Sequence, residues 1–214
     1  MYDRRNGEQE LQFEASGALE RASLVMRDVE TDSWWSIMSS EAIGGELEGA
    51  ALRELDVSRK AQWKDWVAEH PETLVLSIEG TEHVENDPYA NYFTGEETFR
   101  GVTVDDDRLP AKEPIYATWW DGDPVAVAHT TVESGHVEFV GDSALVFWRA
   151  PEASVFASTE TAVVARKDAE GRDARQILDA VAAGSIERRG TLEGFDTYWY
   201  TWVNVNRDSR LVTP

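Results

Sequence analysis

The sequence predicts a strand-rich α+β fold made of two lobes that are pseudo-repeats of each other, each ending in a Trp-x-x-Trp helix and a short strand. Short apolar stretches are separated by Gly-, Ser- and Asp-containing turns, which is typical of β-strands. The pattern Trp-x-x-Trp-Val occurs twice at helical spacing, at Trp63–Val67 and Trp199–Val203. Hydrophobic residues make up 42% of the 214 residues, which is a globular composition.

The internal repeat is based on the sequence around each Trp-x-x-Trp motif. The stretch "QWKDWVAEHPETLVLS", which ends at Ser77, aligns with the C-terminal "YWYTWVNVNRDSRLVTP". Upstream, a register shifted by four residues pairs Ile37 with Ile177, Ala42 with Ala182, Gly44 with Gly184, Leu52 with Leu192, Leu55 with Phe195 and Asp56 with Asp196. These six pairs share one frame. This favours the register over a competing one that would align the "LEG" at Leu47 with the "LEG" at Leu192. Chance similarity is the alternative to a repeat.

The two copies differ in length. The second copy begins near Glu113, and residues 113–146 have no counterpart in the first copy. We therefore divide the chain into a partial first repeat (residues 1–79, the first lobe), an acidic connector (residues 80–112) and a second repeat (residues 113–214, the second lobe). On this division, roughly the first third of a repeat is missing from the first lobe.

The first lobe is predicted to contain strands, tight turns and one helix. Ser58 is a suitable N-cap for a helix, and Pro71 stops it, because the residue before proline disfavours helical geometry. The predicted elements are strands Leu11–Ala15 and Ser23–Val29, turns within Ala42–Leu55, a helix over Arg59–His70 and a strand Thr73–Ile78.

The second lobe is predicted to add a hairpin to elements of the same kinds. Its two strands, Ile115–Trp120 and Val125–Thr131, flank the turn sequence "DGDP". The other predicted elements are strands Ser143–Phe147 and Ser154–Ala157, a helix over Thr197–Val205 and a short strand near Leu211. In the connector, we expect three aromatic side chains to dock onto a lobe: Tyr89, Tyr92 and Phe93.

The charge of the chain is its most unusual property. There are 41 acidic and 20 basic residues, and the net charge of -21 is spread along the whole sequence. Such spacing is typical of the solvated acidic surface of halophilic proteins, and an acidic face for a basic partner is the alternative. The charge disfavours nucleic acid and anionic membranes as partners, because both require a basic surface.

The lack of cysteine and of recognisable targeting signals in this sequence limits the possible functions further. The chain contains no Cys, which excludes disulfides, thiolate metal sites and Cys nucleophiles. No apolar stretch approaches the roughly 18–20 residues of a membrane span. The N-terminal "MYDRRNGEQE" carries no signal peptide. We therefore expect a cytoplasmic protein if Met1 is the true start, and an extracellular or membrane-anchored one if the true start lies upstream.

Tryptophan supplies the best candidates for ligand binding. Trp34-Trp35 and Trp119-Trp120 are adjacent pairs, so an extended backbone would turn one member of each pair outward. Exposed indoles at these four positions are candidates for stacking on a ligand, and core packing is the alternative. The Trp pairs of the two Trp-x-x-Trp motifs are interpreted as core residues because they repeat at helical spacing.

Four residues form a candidate metal site. If Ser134-Gly135 were a two-residue turn, one face of the hairpin would carry His129, Glu133, His136 and Glu138. Two imidazoles and two carboxylates can bind a hard or borderline divalent metal. An ordinary solvated face is the alternative. No motif for a catalytic nucleophile or a phosphate loop is found, so no catalytic residue is assigned.

The first lobe resembles a known family over "YDRRNGEQELQFEASG" and "QWKDWVAEHPETLVLS", and the connector does so over "DPYANY" and "RLPAKE". The chain is similar to the domain of unknown function 3179 family across nearly its whole length, most specifically over Tyr2–Ser77. The resemblance implies a bacterial or archaeal protein, often exported or lipid-anchored. It also implies an N-terminal segment with a His and a Cys-Pro motif before the Tyr-Asp-Arg, and the present sequence starts after both.

Three functions are compatible with these observations. The first is a non-catalytic module that binds a small ligand or a protein, with two lobes that form a cleft. The second is a metal- or redox-dependent enzyme whose active residues lie in an N-terminal segment missing here. The third is a degenerate paralogue with a structural function only. No cofactor is identified by the sequence.

Overall fold

The computed structural model of the protein describes residues 2–20, 23–53, 55, 63–77, 89–133, 135–150 and 159–213. Within these residues the chain forms four β-sheets and six α-helices, and more residues lie in strands than in helices. The fold is therefore strand-rich α+β, as the sequence predicts.

One antiparallel sheet of four strands forms the centre of the first lobe, in the order β3-β4-β5-β6. One side of this sheet covers a small core of Leu11, Trp35 and Ala42, beside which Phe13 and Met26 are partly buried. A hairpin of two short strands precedes the sheet. The strands are β1 (Arg5–Asn6), β2 (Gln9–Glu10), β3 (Phe13–Glu20), β4 (Ser23–Asp28), β5 (Trp34–Ser36) and β6 (Ala42–Gly44).

The first lobe ends in helix α1 (Trp63–Glu69) and an irregular segment. The prediction of a core position was wrong for Trp63, which is 57% exposed, while Trp66 is half-buried. The predicted strand was also wrong over residues 73–77, because no described strand pairs with them. Residues 59–62 of the predicted helix and Ile78 lie outside the described residues.

Two sheets form the second lobe. The first has the order β12-β7-β8-β13, in which β13 runs parallel to β8 and the other pairs are antiparallel. The second has the order β11-β10-β9. The strands are β7 (Pro114–Trp120), β8 (Asp123–Ala128), β9 (His136–Val140), β10 (Ser143–Trp148), β11 (Glu160–Ala165), β12 (Gly194–Tyr198) and β13 (Arg210–Val212).

The second lobe is a stack of four layers. The two sheets face each other across a core that includes Tyr116 and Phe147. The outer face of the three-stranded sheet packs against helix α5 (Ala174–Ala182) through Ile177. The outer face of the four-stranded sheet packs against helix α6 (Trp199–Val203) through Trp199 and Trp202, both fully buried. Apolar burial on both sides of both sheets stabilises this lobe.

Several element boundaries in the second lobe differ from the prediction. Strand β8 ends at Ala128, and the next residues form helix α3 (His129–Val132). The helix predicted over Thr197–Val205 begins two residues later, because β12 continues to Tyr198. Helices α4 (Arg166–Ala169) and α5 were not predicted, and the predicted strand Ser154–Ala157 lies outside the described residues.

The connector packs onto the second lobe through one of the three predicted aromatics. In helix α2 (Ala90–Thr94), the Tyr92 hydroxyl lies 2.8 Å from that of Tyr200. The Lys112 ammonium lies 4.2 Å from the centre of the Tyr92 ring and donates to the Tyr92 carbonyl oxygen. Tyr89 and Phe93, by contrast, are 54% and 45% exposed. The expectation that the connector aromatics dock onto a lobe is therefore confirmed for Tyr92, while the side chains of Tyr89 and Phe93 are largely exposed.

The two lobes are in contact through Met38, which is buried in the cluster around α6 of the second lobe.

The sequence alignment proposed between the two lobes pairs residues from different kinds of element at one position. Ile37 follows strand β5, whereas Ile177, its alignment partner, lies in helix α5. The two lobes are therefore not copies of one structure in this region, and the repeat stays a prediction.

Candidate functional site

A cleft of about 350 Å³ lies between the two lobes. The first lobe contributes its N-terminus and the turn after β5, and the second lobe contributes β7 and the chain after α6. The lining residues are Tyr2, Met38, Ser39, Ser40, Glu41, Trp119, Val205 and Asn206. Its size is at the lower end of the range for small-molecule sites, so one small ligand would fill it.

Trp119 forms the aromatic wall of the cleft. Its ring meets Trp202 edge-on at 4.9 Å between centroids and Phe195 at 6.1 Å. Trp202 is fully buried, and all three rings belong to the core cluster between the sheet and α6. The indole of Trp119 is therefore held by the core on one side and meets the cleft on the other, which is the arrangement of a rigid binding surface.

The turn Ser39–Glu41 forms the polar rim. Backbone hydrogen bonds hold this turn at both ends, from Ser36 N to Glu41 O at 2.9 Å and from Leu52 N to Ser40 O at 2.9 Å. Ser40 has φ 60, a left-handed conformation that costs free energy for a residue with a side chain. The turn is thus fixed in a strained conformation that brings two hydroxyls and the Glu41 carboxylate to one edge.

The electrostatic character of the cleft is acidic. Among its eight lining residues, Glu41 has the only charged side chain, and it is exposed. The Tyr2 hydroxyl already donates to the Ile37 carbonyl oxygen at 3.0 Å, so its proton is occupied. The cleft therefore combines an apolar floor with hydroxyl and amide groups and one negative charge, which suits a ligand that carries a positive charge.

The four predicted ligand-binding tryptophans lie in four different environments. Trp119 lines the cleft, and Trp34 is 40% exposed on the first lobe and is not among the residues that line the cleft. Trp35 is 2% exposed, and its indole N–H donates to Asp28 at 2.8 Å, so a ligand in solvent does not reach it. Trp120 is half-buried against the core between the two sheets. The structure thus brings one of the four into a cleft.

The shared face expected for the metal site was a wrong prediction. His129 lies in helix α3 instead of a strand and is buried, whereas His136 is at the start of β9 and lies 3.1 Å from Glu138. Glu138 also pairs with Arg210. The structure describes residues 129–133 and 135–138, and across the described chain it groups no three His, Asp or Glu residues that could hold a metal ion.

His129 belongs instead to a buried charged cluster that the sequence did not reveal. Its Nε2 lies 2.8 Å from Asp196 Oδ1, and Nη1 of Arg149 lies 3.2 Å from its ring and 3.5 Å from Asp196. His129 is 5% and Arg149 1% exposed. The cluster ties α3, β12 and the end of β10 together, and only the Asp196 side chain, which is 11% exposed, keeps some contact with solvent. The paired charges therefore fit a structural role.

Glu113, next to this cluster, is in an unfavourable position for a charge. Burial raises the pKa of its carboxyl, the nearby His129 opposes that shift, and Glu133 adds to it. The hydrophobic periodicity of the sequence could not have revealed the His129–Arg149–Asp196 cluster. These three residues are distant in sequence, and the folding of the sheets brings them together.

Comparison with known proteins gives a family and no activity. A family described as "Protein of unknown function (DUF3179)" matches residues 1–209. No curated protein and no solved structure matches the chain. In the described part of the chain, every helix is too short or too polar to cross a membrane.

Proposed function

Because the chain belongs to the family of unknown function DUF3179, whose description assigns no activity, we propose its function from the site alone. We propose that it is a non-catalytic binding module whose cleft between the lobes takes a small organic cation. The observation that carries this proposal is the pairing of the fixed indole of Trp119 with the carboxylate of Glu41 in one cleft.

The two residues favour a cation for different reasons. The face of an indole attracts a positive charge through its quadrupole, and tryptophan does so best among the aromatic side chains. The Glu41 carboxylate adds a direct attraction at the rim. Met38 and Val205 give the cleft an apolar floor, so methyl or methylene groups on the cation would also lose water favourably.

The charge of the whole protein supports the same ligand class. A net charge of -21 raises the local concentration of cations and lowers that of anions around the molecule. An anionic ligand would have to approach Glu41 against this field. A non-catalytic role is supported by the burial of His129, which is 5% exposed and paired with Asp196, so this imidazole is not presented to a ligand.

The proposal can be tested with tetramethylammonium chloride as the probe. We expect saturable binding by titration calorimetry at constant ionic strength, with sodium chloride as the blank. Trp119→Leu keeps apolar packing but removes the indole, and Glu41→Gln removes the charge. Each is expected to weaken binding about 3- to 30-fold, the range for aromatic and ionic recognition of a cation.

Trp34→Ala is the matched control, because it removes an exposed indole that does not line the cleft. It should leave binding unchanged, and circular dichroism should show that all three variants are folded. Binding that is equal in Trp119→Leu and the wild type, or no saturable binding in the wild type, would remove the basis of the proposal.

A further inference from the structure

The end of the first lobe exposes an unusual amount of apolar surface. Leu74 is 93%, Val75 68% and Leu76 88% exposed, and Trp63 on helix α1 is 57% exposed. We call these four residues the docking surface. Isolated apolar side chains are common on protein surfaces, but three consecutive ones, in a segment tied to a helix that also exposes an indole, are typical of an interaction site.

The segment that carries the docking surface is held in place before any partner binds. The Trp66 indole N–H donates to the Thr73 hydroxyl at 2.9 Å. Backbone hydrogen bonds from His70 N to Trp66 O and from Thr73 N to His70 O lie beside it, at 2.8 and 3.0 Å. The start of the Leu74–Leu76 segment is therefore fixed against α1, which lowers the entropic cost of binding.

The second lobe contains the same local arrangement with its partner in place. The Trp202 indole N–H donates to the Ser209 hydroxyl at 2.7 Å, across the same seven-residue separation as in the first lobe. The three residues that follow Ser209 form strand β13, which pairs in parallel with β8. The first Trp of this motif, Trp199, is fully buried, in contrast to Trp63.

The partner of this second unit is a β-hairpin. Strands β7 and β8 are joined by the turn at Asp121-Gly122, and β8 pairs with Arg210–Val212 through Val125, Ala126 and Val127. The hairpin also covers α6, because Ile115, Ala117 and Ala126 lie in one cluster with Trp199 and Trp202. One hairpin thus completes the strand and buries the helix at the same time.

We propose that the docking surface binds a β-hairpin of a partner protein, which pairs in parallel with Leu74–Leu76 and covers Trp63. The inner strand of this hairpin carries small β-branched and alanine residues, as Val125–Val127 does in the second lobe. Main-chain hydrogen bonds to an exposed segment and pockets for alternate side chains are a general mode of protein recognition.

Charge favours a different protein over a second copy of this chain. Asp65, Glu69 and Glu72 lie close to the docking surface in sequence, and each copy carries a net charge of -21. Strand β8 of another copy is also already paired on both sides, with β7 and β13. The partner hairpin therefore has basic residues beside its apolar strand, which complement the acidic surroundings.

The test uses a synthetic hairpin with the sequence of residues 114–128, closed by a terminal disulfide and flanked by two lysines at each end. We expect its fluorescein-labelled form to bind the full chain with a Kd below about 100 µM, measured by anisotropy. The double variant Leu74→Asp/Leu76→Asp should bind at least about tenfold more weakly. Both positions are exposed, so the fold should survive.

Val29→Asp is the matched control, because Val29 is 57% exposed and lies elsewhere on the first lobe. It should bind the hairpin as the wild type does. A hairpin in which the residue equivalent to Val127 is Asp should bind the wild type more weakly. Two results would overturn the proposal: no binding at about 1 mM hairpin, or equal binding by the double variant. A wild-type dimer that the double variant dissociates in sedimentation would identify a second copy as the occupant and overturn the partner assigned here.

Discussion

The two Trp-x-x-Trp units of the molecule have similar local sequences and opposite environments. In each, an indole donates to a hydroxyl seven residues later, Trp66 to Thr73 and Trp202 to Ser209. The second unit is buried and ends in a strand, whereas the first is exposed and ends in irregular backbone. The helix and its hydrogen bond are present in both units, while the strand and the burial are found only in the unit that a neighbouring hairpin covers.

The largest expected difference between the two units is in the first Trp of each motif. Trp199→Ala should lower the free energy of unfolding by about 3–5 kcal/mol, because it empties a fully buried site. Trp63→Ala should change it by less than about 0.5 kcal/mol, since the side chain is largely in solvent. Urea denaturation of both variants measures the difference. Similar losses in the two variants would contradict the contrast between the units.

Removing the hydroxyl that accepts from the second Trp of each motif should also cost more stability in the second unit than in the first, and both losses should be smaller than that of Trp199→Ala. Ser209→Ala leaves a buried indole N–H without its acceptor and should cost about 1–3 kcal/mol. Thr73→Val removes the equivalent hydroxyl at a half-buried site, where water can replace it, and should cost less than about 1 kcal/mol. Chemical denaturation is again the measurement. A larger loss for Thr73→Val would show that the first unit is not solvated as described.

The smallest expected effects come from two carboxyls, one in each lobe, whose pKa values shift in opposite directions. In the first lobe, burial alone would raise the pKa of Asp28, but hydrogen bonds donated by Trp35 and Thr31 hold it below its usual value. Asp28 therefore contributes stability that is full above about pH 4 and is lost as the pH falls through its folded pKa. Asp28→Asn should be destabilised relative to the wild type at pH 7, and the gap should narrow in acid.

Glu113 of the second lobe should behave in the opposite way. Burial raises its pKa, so the folded protein is destabilised as the pH rises above about 4.5 and this carboxyl ionises. Glu113→Gln should be more stable than the wild type at pH 7 and close to it near pH 4. Thermal unfolding across this pH range checks both variants, and a loss of stability in Glu113→Gln at pH 7 would contradict the unfavourable burial.

The local features of the fold could be predicted from the sequence. Strand β4 and strand β13 lie where turn chemistry and apolar patterning place them. Helix α5 was missed, although Asp173 and Gln176 form a capping box that the spacing of the two residues could have indicated. The apolar pattern of β8 suggested a longer strand than the structure contains, since the chain enters helix α3 at His129, whose side chain contacts the distant Asp196.

The candidate site depended on contacts that no local pattern encodes. Adjacent tryptophans correctly suggested an outward and an inward residue for Trp34 and Trp35. The cleft at Trp119 exists because the turn at Met38 of the first lobe packs against α6 of the second. Residues this distant in sequence meet only in the folded chain, so composition and periodicity could nominate Trp119 but could not locate its neighbours.

Hydrogen exchange at Leu74–Leu76 and Arg210–Val212 is the most direct test of the central claim. The claim is that the two units differ because a hairpin covers only the second one. In the free protein, the backbone amides of Leu74–Leu76 should exchange quickly and those of Arg210–Val212 slowly, because only the second segment is paired in a sheet. Adding the synthetic hairpin should slow exchange at Leu74–Leu76 and leave Arg210–Val212 unchanged. Strong protection of Leu74–Leu76 in the free protein, or no change on adding the hairpin, would contradict the account.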